Sequence, residues 1–157
     1  MTPYVAVIGA SHPTPADLEH AEVVGRGLAE RGAIVVTGGR GGVMAAASRG
    51  AATAGGVVVG LLPGLDRREA NEWATVAITT GLGELRNGLV VRAADSVVAV
   101  GGSYGTLSEI ALALQAGTPV FGLHTWPIDG IRQVDSPGEA ISAAFEAATA
   151  GPPEGLT

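Results

Sequence analysis

The chain has 157 residues, among them no cysteine and no lysine, and all nine of its positively charged residues are arginine. Without cysteine the protein forms no disulfide and has no thiolate chemistry, a composition typical of the cytoplasm. Without lysine it cannot hold pyridoxal phosphate as a Schiff base, nor place the lysine of a P-loop on a nucleotide phosphate. The sequence therefore excludes a pyridoxal-phosphate decarboxylase and a P-loop nucleoside triphosphatase.

Positive charge and long apolar runs are also scarce. The net charge is −6, and the arginines are scattered, which argues against DNA or RNA as a partner. Glycine or charged residues interrupt every apolar stretch before the roughly 18 residues that a bilayer span needs. The first residues, MTPYVAVIGA, lack a basic segment and predict a strand rather than a signal peptide. We therefore expect a cytoplasmic protein with neither nucleic-acid nor membrane partners.

What the sequence does contain is a regular alternation of short apolar runs and alanine-rich stretches. The runs are almost continuously apolar and rich in valine, which is typical of parallel strands covered on both faces. Hydrophobic residues make up 46% of the chain, enough for one core at this length. The predicted strands are 4–10, 33–39, 57–63, 74–80, 96–102 and 118–124.

Helices are predicted between and after these strands. Residues 14–17, TPAD, supply a cap, a first-turn proline and an acid at the start of the first helix, and residues 136–139, SPGE, repeat that start for the last one. Further helices fit residues 42–54, 82–94 and 104–117. The resulting order of elements is typical of a doubly wound α/β fold.

We thus predict a single Rossmann-like domain over residues 1–150, with a mainly parallel sheet and helices on both faces. Residues 151–157, GPPEGLT, are expected to form a frayed tail. The polar segment 64–73 is either a mobile loop over the site or a plain surface excursion, and the sequence leaves both open.

Three glycine-rich segments follow predicted strands: 9–14 (GASHPT), 37–44 (TGGRGGVM) and 101–106 (GGSYGT). Ligands of doubly wound sheets bind beyond the carboxyl ends of the strands, and each segment leads into a helix whose free N–H groups favour an anion. None of the segments is a dinucleotide fingerprint, and each alone also fits a tight strand-to-helix turn. Together they predict a site for a phosphate-bearing ligand such as a nucleotide.

The residues predicted to bind this ligand combine bare backbone with a few polar side chains. Arg40 either pairs with an anion or reaches solvent, whereas Ser103 and Thr106 either donate to a phosphate or cap the helix. The predicted binding set is Gly9, Ala10, Ser11, Gly38, Gly39, Arg40, Gly41, Gly42, Gly101, Gly102, Ser103, Tyr104, Gly105 and Thr106.

Two of the glycine-rich segments belong to longer motifs that resemble those of a known family. GGSYGTLSE resembles the PGGxGTxxE motif of the LONELY GUY family, the cytokinin-activating phosphoribohydrolases, and TGGRGGVMAAASRGA resembles that family's second glycine loop. ELRNGLVV lies where the family has an arginine-bearing helix. The stretch RNGLVVRAADSVVAVGG is more similar to a sister branch, Rossmann-like proteins that include the molybdenum cofactor carriers. The resemblance covers residues 4–150.

The resemblance implies catalytic roles for Arg86 and Glu109, which match an arginine and a glutamate acting at the N-glycosidic bond of a nucleoside monophosphate. A carboxylate at Glu109 would stabilise an oxocarbenium-like sugar or activate water, and Arg86 would hold the phosphate or keep Glu109 ionised. The same two residues could instead form a structural ion pair. The chain departs from the family motif at Gly101, in place of its proline, and at Ser103, in place of a glycine, while residues 84–87 (ELRN) retain only the arginine of the M-H-x-R-K signature.

Two classes of function follow from the resemblance. One is a binding or carrier protein for a nucleotide or for a pterin-phosphate such as molybdenum cofactor, with no covalently held cofactor; the altered motif favours it. The other is hydrolysis of nucleoside 5′-monophosphates to base and ribose 5-phosphate, favoured by the retained Arg86 and Glu109. Handling of DNA is suggested only by distant kinship to DNA-processing proteins. Relatives are typically dimers, so we expect a homodimer or larger homo-oligomer that uses helices 82–94 and 104–117.

Other candidate residues carry weaker signals. No metal site is expected, because His20 and His124 show no ligand spacing with each other or with an acidic cluster. His12 either touches a base or sugar or is a solvated loop histidine. No Ser-His-Asp arrangement is predicted from the sequence, and Trp73 and Trp126 flank later loops where they either pack or cover a ligand.

Overall fold

The computed structural model describes residues 1–151 and, within them, seven strands and five α-helices. The strands are β1 (Tyr4–Gly9), β2 (Ile34–Thr37), β3 (Val58–Leu62), β4 (Val76–Thr79), β5 (Ser96–Val100), β6 (Val120–Leu123) and β7 (Arg132–Gln133). The helices are α1 (Pro15–Glu30), α2 (Val43–Thr53), α3 (Arg86–Arg92), α4 (Tyr104–Gln115) and α5 (Pro137–Thr149).

All seven strands form one parallel sheet in the order β4-β3-β2-β1-β5-β6-β7. The chain winds outward from β1 to β4 and then returns to the other side of β1, where β5 begins the second half. The predicted doubly wound α/β fold is therefore confirmed. The reversal of direction lies between β1 and β5, and the crevice beyond their carboxyl ends is where such sheets bind ligands.

Each face of the sheet carries its own apolar core, which explains why the strands are apolar throughout. In β1, Val5 and Val7 pack into the core covered by α1, α2 and α5, whereas Ala6 and Ile8 pack into the core covered by α3 and α4. Successive side chains of a strand point to opposite faces, so both sets must be apolar when both faces are covered.

The structure differs from the sequence prediction at several element boundaries. The strand β7, only two residues long, was not predicted, and the expected helix 82–94 is a short 3₁₀ turn at Gly83–Leu85 followed by α3. Segment 64–73 contains another 3₁₀ turn, Arg67–Glu69. The predicted tail lies, apart from Gly151, outside the described residues. Within residues 1–151 we find no helix with the length and hydrophobicity required to traverse a bilayer.

The helix starts predicted from sequence are present. The Asp17 backbone N–H donates to Thr14 Oγ1 at 3.2 Å, and the Asp17 carboxylate accepts from the Thr14 N–H at 3.3 Å, forming a capping box at the start of α1. Ser136 Oγ accepts from the Glu139 N–H at 3.1 Å at the start of α5. These bonds satisfy amide groups that have no partner within the helix.

Helices α1 and α2 approach each other through two glycines. A Cβ atom added to Gly25 would lie 2.0 Å from the Ala47 carbonyl oxygen, and one added to Gly50 would lie 2.0 Å from the Glu22 carbonyl oxygen. Backbone therefore packs directly on backbone at this crossing. The position of α2, and with it the glycine loop that precedes it, depends on the absence of these side chains.

We predict that Gly25→Ala destabilises the protein by about 1–3 kcal/mol, because the methyl group collides with backbone that cannot move aside. This loss outweighs the ~1 kcal/mol that alanine gains over glycine in a helix. Gly88→Ala in α3 is the matched control, since its Cβ would make an ordinary contact of 3.6 Å with Leu112 Cδ1. Urea unfolding of both variants measures the difference; equal stability of the two would contradict the close helix crossing.

Candidate functional site

A cavity of about 100 Å³ lies at the carboxyl ends of β1 and β5, where the sheet reverses direction. Its wall combines bare backbone from the three glycine-rich segments with side chains of α3 and α4. The lining residues are Gly9, Ser11, Gly38, Met44, Arg86, Asn87, Ser103, Gly105, Thr106 and Glu109. The structure thus brings segments far apart in sequence to one point.

The cavity contains part of the predicted binding set and both predicted catalytic residues. Six predicted binding residues line it: Gly9, Ser11, Gly38, Ser103, Gly105 and Thr106. Gly101 and Gly102 instead line a neighbouring cavity and Gly42 lines a third. Five members of the predicted set are not among the lining residues of these cavities: Ala10, Gly39, Arg40, Gly41 and Tyr104.

Several predicted binding glycines are required by packing. A Cβ on Gly9 would lie 2.4 Å from the Val100 carbonyl oxygen, so Gly9 lets β1 and β5 end side by side. Gly42 has a φ of +65°, and its Cβ would lie 2.4 Å from the Ala10 carbonyl oxygen, which accepts a hydrogen bond from the Val43 N–H at 3.1 Å. These contacts hold the first two glycine loops against each other.

Arg86 begins α3 and is only 9% exposed. Its Nη1 donates to the Leu61 carbonyl oxygen at 2.7 Å and to the Gly38 carbonyl oxygen, while its buried Nε has no hydrogen-bond partner within residues 1–151. A Cβ on Gly38 would lie 2.3 Å from Nη1, so this position must be glycine for the guanidinium to fit. Burial lowers the pKa of Arg86, the nearby charge of Glu109 opposes this shift and that of Arg40 adds to it.

Glu109 faces the same cavity from α4 and is half-buried. Burial raises the pKa of its carboxyl group to about 8, against the opposing pull of Arg86. Within the described chain the two side chains do not approach to the 4.0 Å of an ion pair, so the alternative of a structural ion pair is not what the geometry shows. At neutral pH the site therefore presents a cationic guanidinium and a largely uncharged carboxylic acid.

The start of α4 supplies the remaining polar groups. The Ser103 N–H donates to Thr106 Oγ1 at 3.2 Å, so the buried Thr106 hydroxyl serves the helix cap. Trp126 Nε1 donates to the Ser103 carbonyl oxygen at 3.1 Å and fixes the loop from outside. Gly105 is different, because a Cβ there would meet only Asn87 Nδ2, at 3.9 Å. Its backbone N–H belongs to the first helical turn, where amides lack an intrahelical acceptor and favour anions.

Aromatic side chains lie close to this helix start. Tyr104 is 82% exposed and stacks on Trp126, with ring centroids 6.0 Å apart and an interplanar angle of 29°. Trp126 thus packs beneath Tyr104, whose other face is free of described contacts. Trp73 lines the separate cavity that includes Gly42 and Arg49.

Sequence reasoning missed three residues around the site. Met44 and Asn87 line the cavity, although no local pattern distinguished them. Asn71, in segment 64–73, donates its backbone N–H to the Gly39 carbonyl oxygen at 2.8 Å and its Nδ2 to the Arg40 carbonyl oxygen at 3.0 Å. This segment is thus attached to the second glycine loop and braces it.

A second group of polar residues lies behind the third glycine loop. Ligand atoms of Asp17, His20 and His124 all lie within 4.8 Å of one another. The sequence expectation that the histidines share no ligand arrangement with an acid is corrected here, because the fold brings β6 beside the first turn of α1, which spacing along the chain cannot reveal.

The chain is similar in sequence and structure to several known proteins. The model of the SLOG cluster4 family matches residues 2–149. An uncharacterized protein of Archaeoglobus fulgidus is 40% identical over 139 residues, 88% of this chain and 91% of the relative. The molybdenum cofactor binding protein of Rippkaea orientalis is 34% identical with a TM-score of 0.88, over 93% of this chain and 97% of that one. The Moco carrier protein of Chlamydomonas reinhardtii is 32% identical with a TM-score of 0.88, over 96% and 100%.

The raised pKa of Glu109 makes stability depend on pH. Its folded-state pKa of about 8 lies above the ordinary value of 4.5, so the folded state binds the extra proton and wild-type stability falls as pH rises from about 4.5 to about 8. Glutamine at position 109 carries no ionisable group. We therefore predict that the free energy of unfolding of Glu109→Gln, relative to that of wild type, rises by roughly 2–4 kcal/mol from about pH 5 to pH 9, since one pKa unit is worth ~1.4 kcal/mol.

Urea unfolding followed by tryptophan fluorescence at the two pH values measures this gain. Glu146→Gln on the exposed side of α5 is the control and should follow wild type at both. A stability difference between Glu109→Gln and wild type that does not change with pH would show that the folded protein does not hold Glu109 protonated.

Proposed function

We propose that this chain, which belongs to the SLOG cluster4 family, binds a phosphate-bearing small molecule and acts as its carrier. The observation that carries the proposal is the cavity at the β1–β5 switch point, where Arg86, the Gly105 backbone and Glu109 converge. A fixed cation and a helix N-terminus both favour an anion. A carboxyl group with a pKa of about 8 is largely uncharged at neutral pH and does not repel it.

The ligand class we propose is a pterin-phosphate, with molybdenum cofactor as the candidate. The support is that the molybdenum cofactor binding protein of Rippkaea orientalis and the Moco carrier protein of Chlamydomonas reinhardtii match this chain over more than nine-tenths of its length. A nucleotide shares the phosphate and a flat heterocycle and is the other member of the same chemical class. Neither needs a covalent attachment, for which this chain offers no lysine or cysteine.

The size of the cavity indicates how such a ligand would be held. At about 100 Å³ it is smaller than the roughly 300–1,000 Å³ that encloses a complete drug-sized ligand. We infer that it takes the phosphate end, held by Arg86 and by the Gly105 N–H. The heterocycle would lie outside, where the exposed face of Tyr104 offers an aromatic stacking surface.

The cofactor, when bound, would supply molybdenum chemistry that is used by another protein, whereas this chain's own residues bind and orient it. Arg86 contributes its charge with a geometry fixed by the Gly38 and Leu61 carbonyl groups. Glu109, while protonated, can donate a hydrogen bond to a phosphate oxygen. The glycine loops would cover the bound phosphate on one side and shield it there from water.

Phosphoribohydrolase activity is the second candidate, because Arg86 and Glu109 line the same cavity. Stabilising an oxocarbenium-like sugar requires an ionised carboxylate, however, and the raised pKa leaves only a minor fraction of Glu109 ionised at neutral pH. This electrostatic state favours binding over hydrolysis. If the protein is instead a hydrolase, its hydrolysis should be slow at neutral pH and should accelerate as the pH approaches about 8.

The remaining attributes that we propose follow the sequence expectations. The protein is cytoplasmic, it has one domain over residues 1–150, and it has no nucleic-acid partner. The net charge of −6 supports the last of these, because non-specific binding of DNA or RNA depends on clustered positive charge.

We predict that Gly105→Ala weakens ligand retention at least tenfold while the protein stays folded, because Gly105 lines the cavity and the nearest atom that its methyl group would meet beyond its own helix is Asn87 Nδ2, at 3.9 Å. Molybdenum cofactor released from a purified molybdoenzyme is incubated with the protein. After desalting, the retained pterin is measured by its fluorescence following oxidation. Gly88→Ala, a helix glycine outside the cavity, should retain as much pterin as wild type.

The same preparations are assayed for ribose 5-phosphate release from a panel of nucleoside monophosphates. Pterin retention without ribose 5-phosphate release supports the carrier. Release that disappears in Glu109→Gln would establish the hydrolase instead. A wild type that neither retains the pterin nor cleaves any nucleotide would refute both functions.

We also propose a homodimer or larger homo-oligomer formed through α3 and the turn before it, where Leu82, Leu85 and Leu89 are exposed. Leu85 is 77% exposed, and exposed apolar side chains grouped in one patch mark protein–protein contacts. Sedimentation of wild type should give at least about twice the 15.5 kDa of one chain. Leu85→Ser should shift the protein towards the single chain, while Val23→Ser on the exposed side of α1 should not; a wild type that sediments only as a single chain excludes this surface.

A further inference from the structure

We propose that Asp17, His20 and His124 form a binding site for a divalent transition-metal ion of the zinc class. One carboxylate oxygen of Asp17 and one imidazole nitrogen from each histidine all lie within 4.8 Å of one another. Two imidazoles and a carboxylate are a ligand set that suits zinc and its neighbours, whereas magnesium and calcium favour oxygen ligands. The site is distinct from the phosphate cavity and does not depend on the proposed function.

The fold, more than the sequence, assembles this group. Asp17 and His20 are three residues apart in α1 and therefore lie on the same face of the helix. His124 directly follows β6, and its ring centroid lies 5.4 Å from that of His20. Two ligands from one helix turn and one from a strand end give a site that exists only in the folded chain.

The spacing of the ligand atoms leaves room for an ion. If all three atoms were 4.8 Å apart, a point equidistant from them would lie about 2.8 Å from each, compared with about 2.0–2.1 Å for a zinc–nitrogen bond. Rotation of the two imidazole rings would shorten the distance from their nitrogens to such a point. No histidine nitrogen within residues 1–151 approaches the Asp17 carboxylate to ion-pair distance, so the carboxylate is not already paired with an imidazole.

Hydrogen bonding gives an independent reason to expect a ligand. His20 Nδ1 is buried and has no hydrogen-bond partner within the described residues. Leaving a buried polar atom without a partner is unfavourable. Asp17 is only 9% exposed, and no arginine within residues 1–151 pairs with it. A metal ion would neutralise the carboxylate and complete the surroundings of the imidazole.

The capping role of Asp17 does not conflict with a metal. The hydrogen bond from the Thr14 N–H reaches Oδ2 at 3.3 Å, and a carboxylate has lone pairs on both oxygens. A Cβ on Gly101 would lie 2.6 Å from Oδ2, so a glycine with its φ of +60° is what allows the third glycine loop to pass this carboxylate. The cap fixes the carboxylate in position for a ligand.

The backbone at His124 also points to a function. His124 has a φ of +55° and is the only non-glycine residue with a positive φ in the described part of the chain. Such a conformation is unfavourable for most residues and tends to occur at functional positions. Here it places the imidazole at the edge of a cavity of about 250 Å³, lined by Gly101, Gly102, His124, Thr125, Trp126 and Pro127.

That cavity gives the ion an open side. Thr125 Oγ1, in the same wall, is a second buried polar atom without a partner in residues 1–151. Three protein ligands with solvent access match zinc sites that keep a position for water or another ligand. The third glycine loop separates the two cavities: Gly101 and Gly102 face the metal side, and Ser103, Gly105 and Thr106 face the phosphate side.

Equilibrium dialysis of the chelator-treated full chain against Zn²⁺ tests the proposal. We expect one Zn²⁺ per chain, with binding at least tenfold weaker in His124→Asn and in Asp17→Asn. Asparagine tolerates a positive φ and can accept a cap hydrogen bond, so both variants should fold. His12→Asn is the matched control, since His12 lies in an exposed loop outside the cluster and is the remaining histidine of the chain.

Two further measurements sharpen the outcome. Co²⁺ in place of Zn²⁺ should give a visible ligand-field spectrum that is lost in His124→Asn and kept in His12→Asn. Mg²⁺ should bind at least tenfold more weakly than Zn²⁺. Absence of stoichiometric Zn²⁺ binding, equal binding by wild type and both ligand variants, or equal affinity for Mg²⁺ would each overturn the proposal.

Discussion

The hydrogen bonds of the buried Arg86 guanidinium to the Gly38 and Leu61 carbonyl groups are the interaction around which the cavity beyond β1 and β5 is organised. It ties the end of β2 to β3 and to the start of α3. It needs glycine at position 38, because any Cβ there would occupy the place of Nη1. Its charge also acts on Glu109, and Gly38, Arg86 and Glu109 all line one wall.

The electrostatic state of the cavity follows from burial as much as from the charges present. Desolvation penalises the ionised forms of both groups. At neutral pH it changes only the protonation state of the carboxyl group, because the pKa of arginine lies far above neutral pH before the shift. An arginine and a glutamate that a sequence shows as a neutral pair thus become a net positive site. This asymmetry is the physical support for the proposed binding of an anion.

The third glycine loop lies between two cavities with different linings. One side presents the first turn of α4 to the cavity beyond β1 and β5, and the other lies against the Asp17 carboxylate and lines the cavity that His124 borders. Gly101 and Gly102 both have a positive φ, and because they carry no side chains the loop can pass between the two cavities. A movement of this loop would therefore change the walls of both cavities.

The sequence by itself determined the elements and their layering. Continuous apolar runs predicted parallel strands covered on both faces, the TPAD and SPGE segments predicted helix starts, and three glycine segments predicted loops at one edge of the sheet; the structure has all three features. These succeeded because each depends on neighbouring residues: periodicity, caps and backbone freedom.

Only the tertiary structure decided which of the loop residues reach the ligand cavity. Gly9 and Gly42 are required by contacts with Val100 and Ala10, far away in sequence, and the packing around Glu109 set its pKa. The meeting of His124 with Asp17 and His20, and the bracing by Asn71 of the second glycine loop, likewise have no local signature. Such contacts join residues tens of positions apart, and their distances are fixed by how strands and helices pack, which no local pattern encodes.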